Sequence, residues 1–448
     1  MQDDRRNKVI IMGAAGRDFH NFNVVFRNDP LTRVVAFTAA QIPDIAGRTY
    51  PPVLSGPLYP NGIPIVAESE LLSLIKRDRL NWVYFSYSDV SHQDVMHTAS
   101  TVLAAGANFA FLAPESTAIA PSKPVISVCA VRTGVGKSSA TCRIARFFLE
   151  RRRQVSVIRH PMPYGDLEAQ RVQRFGEMND LERLEATIEE REEYEPLLQM
   201  DITVFAGLDY HAILHRAEEV DADLIIWDGG NNDLPFVRPD LHVVLVGPHR
   251  PGDETSYHPG EANLRMADLV IINKVDSATP GQLAQVQAGV ESVAKANVPV
   301  ILADSVLTVA DPDQVKGKRI LVVGDGPTLT HGGMAYGAGT IAARQLGAAE
   351  IVSGRQFAVG SISDAYDTYP HMESEVPALG YSPEQLADLE ATLNATEAEL
   401  VLFATPVDLD QLVSVNKPLV AVAYELEERG GELAEILGDF DYYKLSGG

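Results

Sequence analysis

The sequence predicts an α/β protein built from three open, mostly parallel sheets with helices on both faces of each. Three observations predict it. An apolar strand signal runs straight into a glycine-containing turn at three distant places: KVIIMGAAG from Lys8, PVISVCAVRTGVG from Pro124 and KRILVVGDG from Lys318. Between these restarts, short apolar runs alternate with helix-length amphipathic stretches, the pattern of successive βαβ units. The apolar runs are continuous, as strands buried on both faces require.

The first segment, 1–121, is expected to be Rossmann-like. Its strands are KVIIM (8–12), VVAFTA (34–39), IPIVAE (63–68) and WVYFSY (82–87), and it ends at the polar link APSKP. After the first strand, Gly13 and Gly16 give G-x-x-G, short of the G-x-G-x-x-G of a dinucleotide site. Arg17, Asp18, His20, Asn21 and Asn23 crowd the helix start that follows. Gly13, Gly16, Arg17 and His20 are therefore candidates for holding a phosphate or carboxylate. The alternative for Arg17 and His20 is a capping or surface role.

The second segment, 122–316, carries AVRTGVGKSS (130–139). The phosphate-loop pattern is G-x-x-x-x-G-K-[ST]; Val131 stands at the first glycine, while Gly136, Lys137 and Ser138 fit. The strand before it is PVISVCAV, and the helix after it places Ile144, Phe147 and Phe148 at helical spacing. In that setting the backbone of Gly134, Val135, Gly136, Ser138 and Ser139 can cradle phosphates, Lys137 can reach the terminal ones, and Ser138 can hold magnesium. The order R-T-G-V-G-K-S resembles the variant loop of the SIMIBI class of P-loop proteins. That resemblance implies a second cation, here Arg132, near the phosphates, and a dimer.

Two strand ends later in the segment add to the reading. DLIIWD ends in Asp228, where a carboxylate can hold magnesium; DLVII ends in Asn273-Lys274-Val275-Asp276, NKVD, which in GTPases reads guanine. Further candidate strands are VSVIR (155–159), HVVLVG (242–247) and VPVILA (298–303). Arg159, His160, His249 and Arg250 stand at strand ends and are expected to converge with the loop on one sheet edge, as a set holding a polyanion. The acidic stretch 166–199 is expected to be helical, its charge run a solvated face.

The third segment, 317–448, restarts at KRILVVGDGPTLTHGG and places His331 after a strand. Residues 366–380 read as a long loop. Overall the chain has 448 residues, 46% of them hydrophobic, and a net charge of −24. Such acidity excludes a general nucleic-acid or anionic-membrane binder, because those partners need a basic face. No run approaches bilayer length, so a cytoplasmic location is expected. Cys129 and Cys142 are the only cysteines, and neither a disulfide framework nor a zinc site is expected from them.

The stretches KVIIMGAAGRDFHNFNVVFR, AVRTGVGKSS and GPHRPGDETSYHPGEANLRMADLVIINKVD resemble the cyclic 2,3-diphosphoglycerate synthetase family over nearly the whole chain. The resemblance implies an ATP-dependent ring closure of 2,3-diphosphoglycerate through an intramolecular phosphoanhydride, with ADP and phosphate released. It implies Mg2+ on Ser138 and Asp228, a transferring phosphoryl group stabilised by Lys137 and Arg132, K+ as an added ion, and Arg17, His20, His160, His249, Arg250 and His331 around the small polyanionic substrate. NKVD points instead to GTP, and the competing expectation is a GTPase acting as a regulatory or assembly switch.

Overall fold

The structure, a computed structural model, describes residues 6–446 apart from 41–44, 161, 164, 231–232, 331, 380–381, 406–408 and 410–411. His331 thus lies outside the described residues. The first segment forms a six-stranded sheet in the order 49–50, 63–67, 32–39, 7–12, 82–85 and 108–110. Its first strand, Asn7–Met12, sits in the middle with the chain wound outward to both sides, so the turn after Met12 opens at the switch point of the sheet.

The strands of the other two segments join in one sheet, thirteen-stranded among the described residues. The strand Val125–Ala130 lies between Leu224–Asp228 and Leu241–Val246, parallel to both. All six of its residues are buried, and they feed opposite cores in alternation. Ile126 and Val128 join Phe147 and Phe148 on one face; Val125 and Cys129 join Trp227 and Phe236 on the other. This is the expected three-layer arrangement, and it puts the carboxyl end of the phosphate-loop strand beside Asp228.

Three expectations need correction. The strand read as VPVILA runs on to Val309, because Val300–Val309 pairs antiparallel with Leu419–Glu428 over residues 303–309 and welds the last segment's sheet to the middle one. The long loop at 366–380 is occupied by the end of the helix Gly360–Thr368 and by the strand Val376–Ala378, which pairs parallel with Arg319–Asp325. That strand carries Pro377, which a short strand paired on one side tolerates.

The acidic stretch is the third. It contains a strand, Gln173–Phe175, and two helices, Asn179–Arg183 and Ile188–Leu198. Its charge run is solvated as expected at Asp166, Glu168, Glu177, Glu182 and Glu185, but in the second helix Glu189, Glu190, Glu192 and Glu195 are all buried. Glutamates at positions 189, 192 and 193 share one helical face, and that face turns toward a cavity.

Candidate active site

A cavity of about 960 Å³ lies where the strand ends of all three segments meet. Its floor is the loop 130–139. Gly134 and Gly136 take positive φ values of 84° and 98°, and the helix Lys137–Glu150 begins directly after them. A side chain at Gly136 would strike the Asn273 amide, so glycine is required there by close approach as well as by backbone angle. Val131, in the place of the usual first glycine, is buried, its N–H donating to the Leu245 carbonyl at 2.9 Å.

The NKVD motif braces this loop. Asn273 Nδ2 donates to the Val135 carbonyl at 2.9 Å and Lys274 Nζ to the Gly134 carbonyl at 2.7 Å. Asp276 lines the cavity and accepts the Ser305 N–H at 2.8 Å through Oδ1. His249 lies alongside, with Nε2 3.2 Å from the Ser277 hydroxyl; burial lowers its pKa.

Lys137 points to Asp228, which it shares with Arg159; Arg159 reaches onward to Glu193. Burial alone would raise the Asp228 carboxyl, but the Arg159 and Lys137 charges outweigh it and hold the group below its usual range. Arg159 and Asp228 are fully enclosed behind the loop, whereas Lys137, Ser138 and Ser139 face the cavity. Arg132 faces it too, held by Asp89 at 2.5 Å and by Asp253, with its guanidinium 3.6 Å from the centre of the Tyr257 ring. Thr133 Oγ1 donates to the second oxygen of Asp89 at 2.7 Å. Arg250 ties the loop to the third segment by donating to the carbonyls of Thr133 and Gly332.

The first segment closes another side. Gly16 and Arg17 line the cavity, and a side chain at Gly16 would overlap the His160 ring. His160 Nδ1 is 2.7 Å from Asp233 Oδ2. Gly13, at φ 125°, leaves room for the Asp18 carboxylate, which accepts the N–H groups of Ala15 and Phe19; burial pushes Asp18 up to about 6. His20 is not brought to the cavity: its ring stacks on Phe236 at 4.3 Å and its Nε2 lies 2.9 Å from the Thr117 carbonyl oxygen. Gly13, Val135, Arg159, Asp228 and Asn273 likewise stand behind the wall.

Sequence reasoning missed the carboxylates that share the cavity with the loop. Glu189, Glu192, Glu193 and Asp325 line the cavity. Thr405 Oγ1 donates to Glu192, and Thr328 Oγ1 donates to Asp325 at 2.5 Å. Burial raises both carboxyls, Glu192 well above its usual value with the Asp325 charge adding to the effect. Two signals could have found them: the i, i+3, i+4 spacing of the glutamates, and the strand end ILVVGD, which repeats the form of LIIWD. Among the described residues the cavity is lined by eight Asp and Glu against six Lys and Arg.

Comparison with known proteins sets this site in a family. The family model described as cyclic 2,3-diphosphoglycerate synthetase, P-loop domain, matches residues 203–304. A cyclic 2,3-diphosphoglycerate synthetase of Thermococcus sibiricus is 23% identical over 128 residues, 27% of this chain and 28% of that protein. Among solved structures, LpxK from Aquifex aeolicus with ATP overlays 79% of this chain and 95% of its own at 16% identity, with a TM-score of 0.45. The arginine synthetase ArcE of Thermococcus kodakarensis is 54% identical over 441 residues, 98% of each chain. With identity at that level from end to end, the chain belongs to the P-loop synthetase family that holds this arginine synthetase and, more distantly, the cyclic 2,3-diphosphoglycerate synthetases.

Proposed function

We propose that the protein is a nucleotide-dependent ligase that makes arginine by phosphorylating the ureido oxygen of citrulline and displacing the phosphate with ammonia. The observation that carries this reading is the acidic side of the cavity, where Glu189, Glu192, Glu193 and Asp325 gather, the first two of them buried. A substrate with an α-ammonium group and a product with a guanidinium match such a surface, because carboxylates bind both in charge-assisted, often paired, hydrogen bonds. The end-to-end likeness to an arginine synthetase supports the same substrate class.

A ureido carbonyl is a poor electrophile and its oxygen a poor leaving group. Transfer of the terminal phosphoryl group forms an O–P bond at that oxygen and breaks the bond to the departing nucleoside diphosphate. The ammonia lone pair then forms the new C–N bond, the C–O bond breaks, and phosphate leaves with one of the nitrogen's protons. Loop N–H groups and Lys137 are placed to bind the terminal phosphates, exchanging the Asp228 contact for the anion. Arg132, fixed by Asp89 and Asp253, adds charge at the loop's edge. Asn273, Lys274 and Asp276 form the base side, with Gly134 to Ser139 around the phosphates. Gly16, Arg17, His160, His249 and Arg250 edge the acceptor space.

Ser138, on the cavity floor, would hold Mg2+ directly; Asp228, ionised but enclosed with its oxygens on Lys137 and Arg159, would join it only once Lys137 has turned to the phosphates. When bound, magnesium neutralises charge on the phosphate oxygens.

Ring closure of 2,3-diphosphoglycerate is the second reading, supported by the family model over 203–304. It gathers about four negative charges on one substrate beside the nucleotide. Two of the cavity groups expected to hold them are engaged otherwise, His160 by Asp233 and Arg250 by backbone carbonyls, and Arg17 spends one nitrogen on Thr117.

The test is product analysis on purified protein with magnesium, potassium and either ATP or GTP. Citrulline with ammonium is expected to give arginine, nucleoside diphosphate and phosphate in equal amounts. A phosphoanhydride phosphorus signal from 2,3-diphosphoglycerate, without arginine, would favour the second reading; GTP hydrolysis with neither product would favour a switch. The homodimer and the potassium requirement belong to the proposal, checked in the same preparation by light scattering and by replacing potassium with sodium. A cytoplasmic location also stays a proposal; among the described residues no helix is long and apolar enough to cross a membrane.

A further inference from the structure

A second, much smaller cavity of about 20 Å³ adjoins the first. Arg17, Ser86 and Asp233 belong to the walls of both, and Asn21, His258 and Phe111 complete the chamber's lining. A space of roughly 10–15 Å³ is enough for one water-sized molecule. The chamber therefore admits a single non-hydrogen atom.

Besides Asp233 Oδ2, whose neighbour is His160 Nδ1 at 2.7 Å, two polar atoms of its wall side chains are buried without a hydrogen-bond partner: Arg17 Nη1, which needs an acceptor, and Asn21 Oδ1, which needs a donor. The two residues are 6% and 2% exposed. Their other ends are fixed. Arg17 Nη2 donates to Thr117 Oγ1 at 2.9 Å, and Asn21 Nδ2 donates to Ser86 Oγ at 2.9 Å, so neither unmet atom can turn away without breaking a buried bond. Leaving both unmet is costly, and a guest that accepts from one and donates to the other removes the cost.

We infer that this chamber binds the nitrogen nucleophile as neutral ammonia and delivers it to the main cavity across the wall formed by Arg17, Ser86 and Asp233; the inference rests on the arginine-forming reading above. Ammonia has one lone pair for Arg17 and N–H groups for Asn21. Ammonium has no lone pair and would face the guanidinium. Only the neutral form can accept from Arg17 while donating to Asn21 and to the Asp233 carboxylate that also lines the chamber. Burial lowers the pKa of His258, which also lines the chamber, to about 4, so its ring is neutral there and accepts readily. Water has the same donor and acceptor capacity and fills the chamber until ammonia displaces it.

The discriminating experiment uses methylamine, which carries one non-hydrogen atom too many. Arginine formation is followed at saturating citrulline and ATP with ammonium varied, then with methylamine in its place, for wild type, Asn21→Ala and Phe111→Ala. Wild type is expected to use ammonium and reject methylamine. Asn21→Ala removes the acceptor and enlarges the space, so the KM for ammonium should rise about fivefold or more, with the KM for citrulline and for ATP unchanged. Both variants should gain an N-methylated product, detected by mass spectrometry. Phe111 is 45% exposed, so its truncation tests the chamber's size even if Asn21→Ala fails to fold. Wild type accepting methylamine as well as ammonium would overturn the inference alone, as would folded variants that keep the wild-type ammonium KM and still reject methylamine. Wild type making no arginine from ammonium overturns the functional reading and the chamber's role together.

Discussion

In the proposed reaction Lys137 is the residue on which the phosphate chemistry turns, and its surroundings predict how its loss will read out. It contacts Asp228, which Arg159 also holds, so removing the ammonium leaves the buried carboxylate one partner. Lys137→Ala should therefore lower kcat/KM by about 10² to 10³ or more while the protein stays folded. Turnover with unchanged far- and near-ultraviolet circular dichroism checks both halves; wild-type turnover in the variant would remove the loop from the mechanism. The loop residues were legible because their chemistry is written within ten consecutive positions. Asp89 and Asp253 were not, since they meet Arg132 from 43 and 121 residues away and nothing in their local sequence marks the meeting. His20 shows the converse: a histidine beside a glycine turn reads as a ligand, yet the aromatic Phe236, far along the chain, gives it a core position.

At the scale of elements, the helix Ile188–Leu198 shows why charge alone misleads. IEEREEYE looks solvated because glutamate prefers water, but burial is decided by what the helix faces, and this one faces a polar cavity. Glu190 sits at the third position of the capping box opened by Thr187, accepting the Thr187 N–H at 2.9 Å. Burial pushes its carboxyl up to about 7 from the usual 4.5. The folded protein thus keeps a proton that the unfolded chain gives up, a stabilisation complete below about pH 4.5 and lost as pH rises through about 7. Glu190→Gln keeps the cap without the charge. It should stabilise the protein at pH 8, by up to about 3 kcal/mol, and make little difference at pH 4.5, as read by thermal unfolding at the two values. An equal effect at both would show that ionisation of Glu190 costs the fold nothing.

For the whole molecule, the fold class and most strands were legible because buried parallel strands announce themselves as continuous apolar runs. The weld between the middle and last sheets was not. The second half of Val300–Val309, SVLTV, is short and partly exposed, and its partner Leu419–Glu428 lies over a hundred residues on. That weld places Asp325, the acidic helix and the phosphate loop around one cavity, while the first segment adds Arg17 and Asp89. Sequence suggested an anion site because cations at strand ends are conspicuous. Pairing most of them with their neighbours, which only the assembled sheet does, leaves a site of mixed charge, with more carboxylates than Lys and Arg among its described lining residues.

The measurement that tests this account most directly is the fate of the ureido oxygen. Citrulline labelled there with oxygen-18 is converted with ATP, magnesium and ammonium, and the released phosphate is examined by mass spectrometry. If the oxygen is phosphorylated and then displaced, one label should appear in each phosphate formed with each arginine. Arginine formed with unlabelled phosphate would contradict the account, because the nucleotide would then be spent without ever activating the carbon that receives the nitrogen.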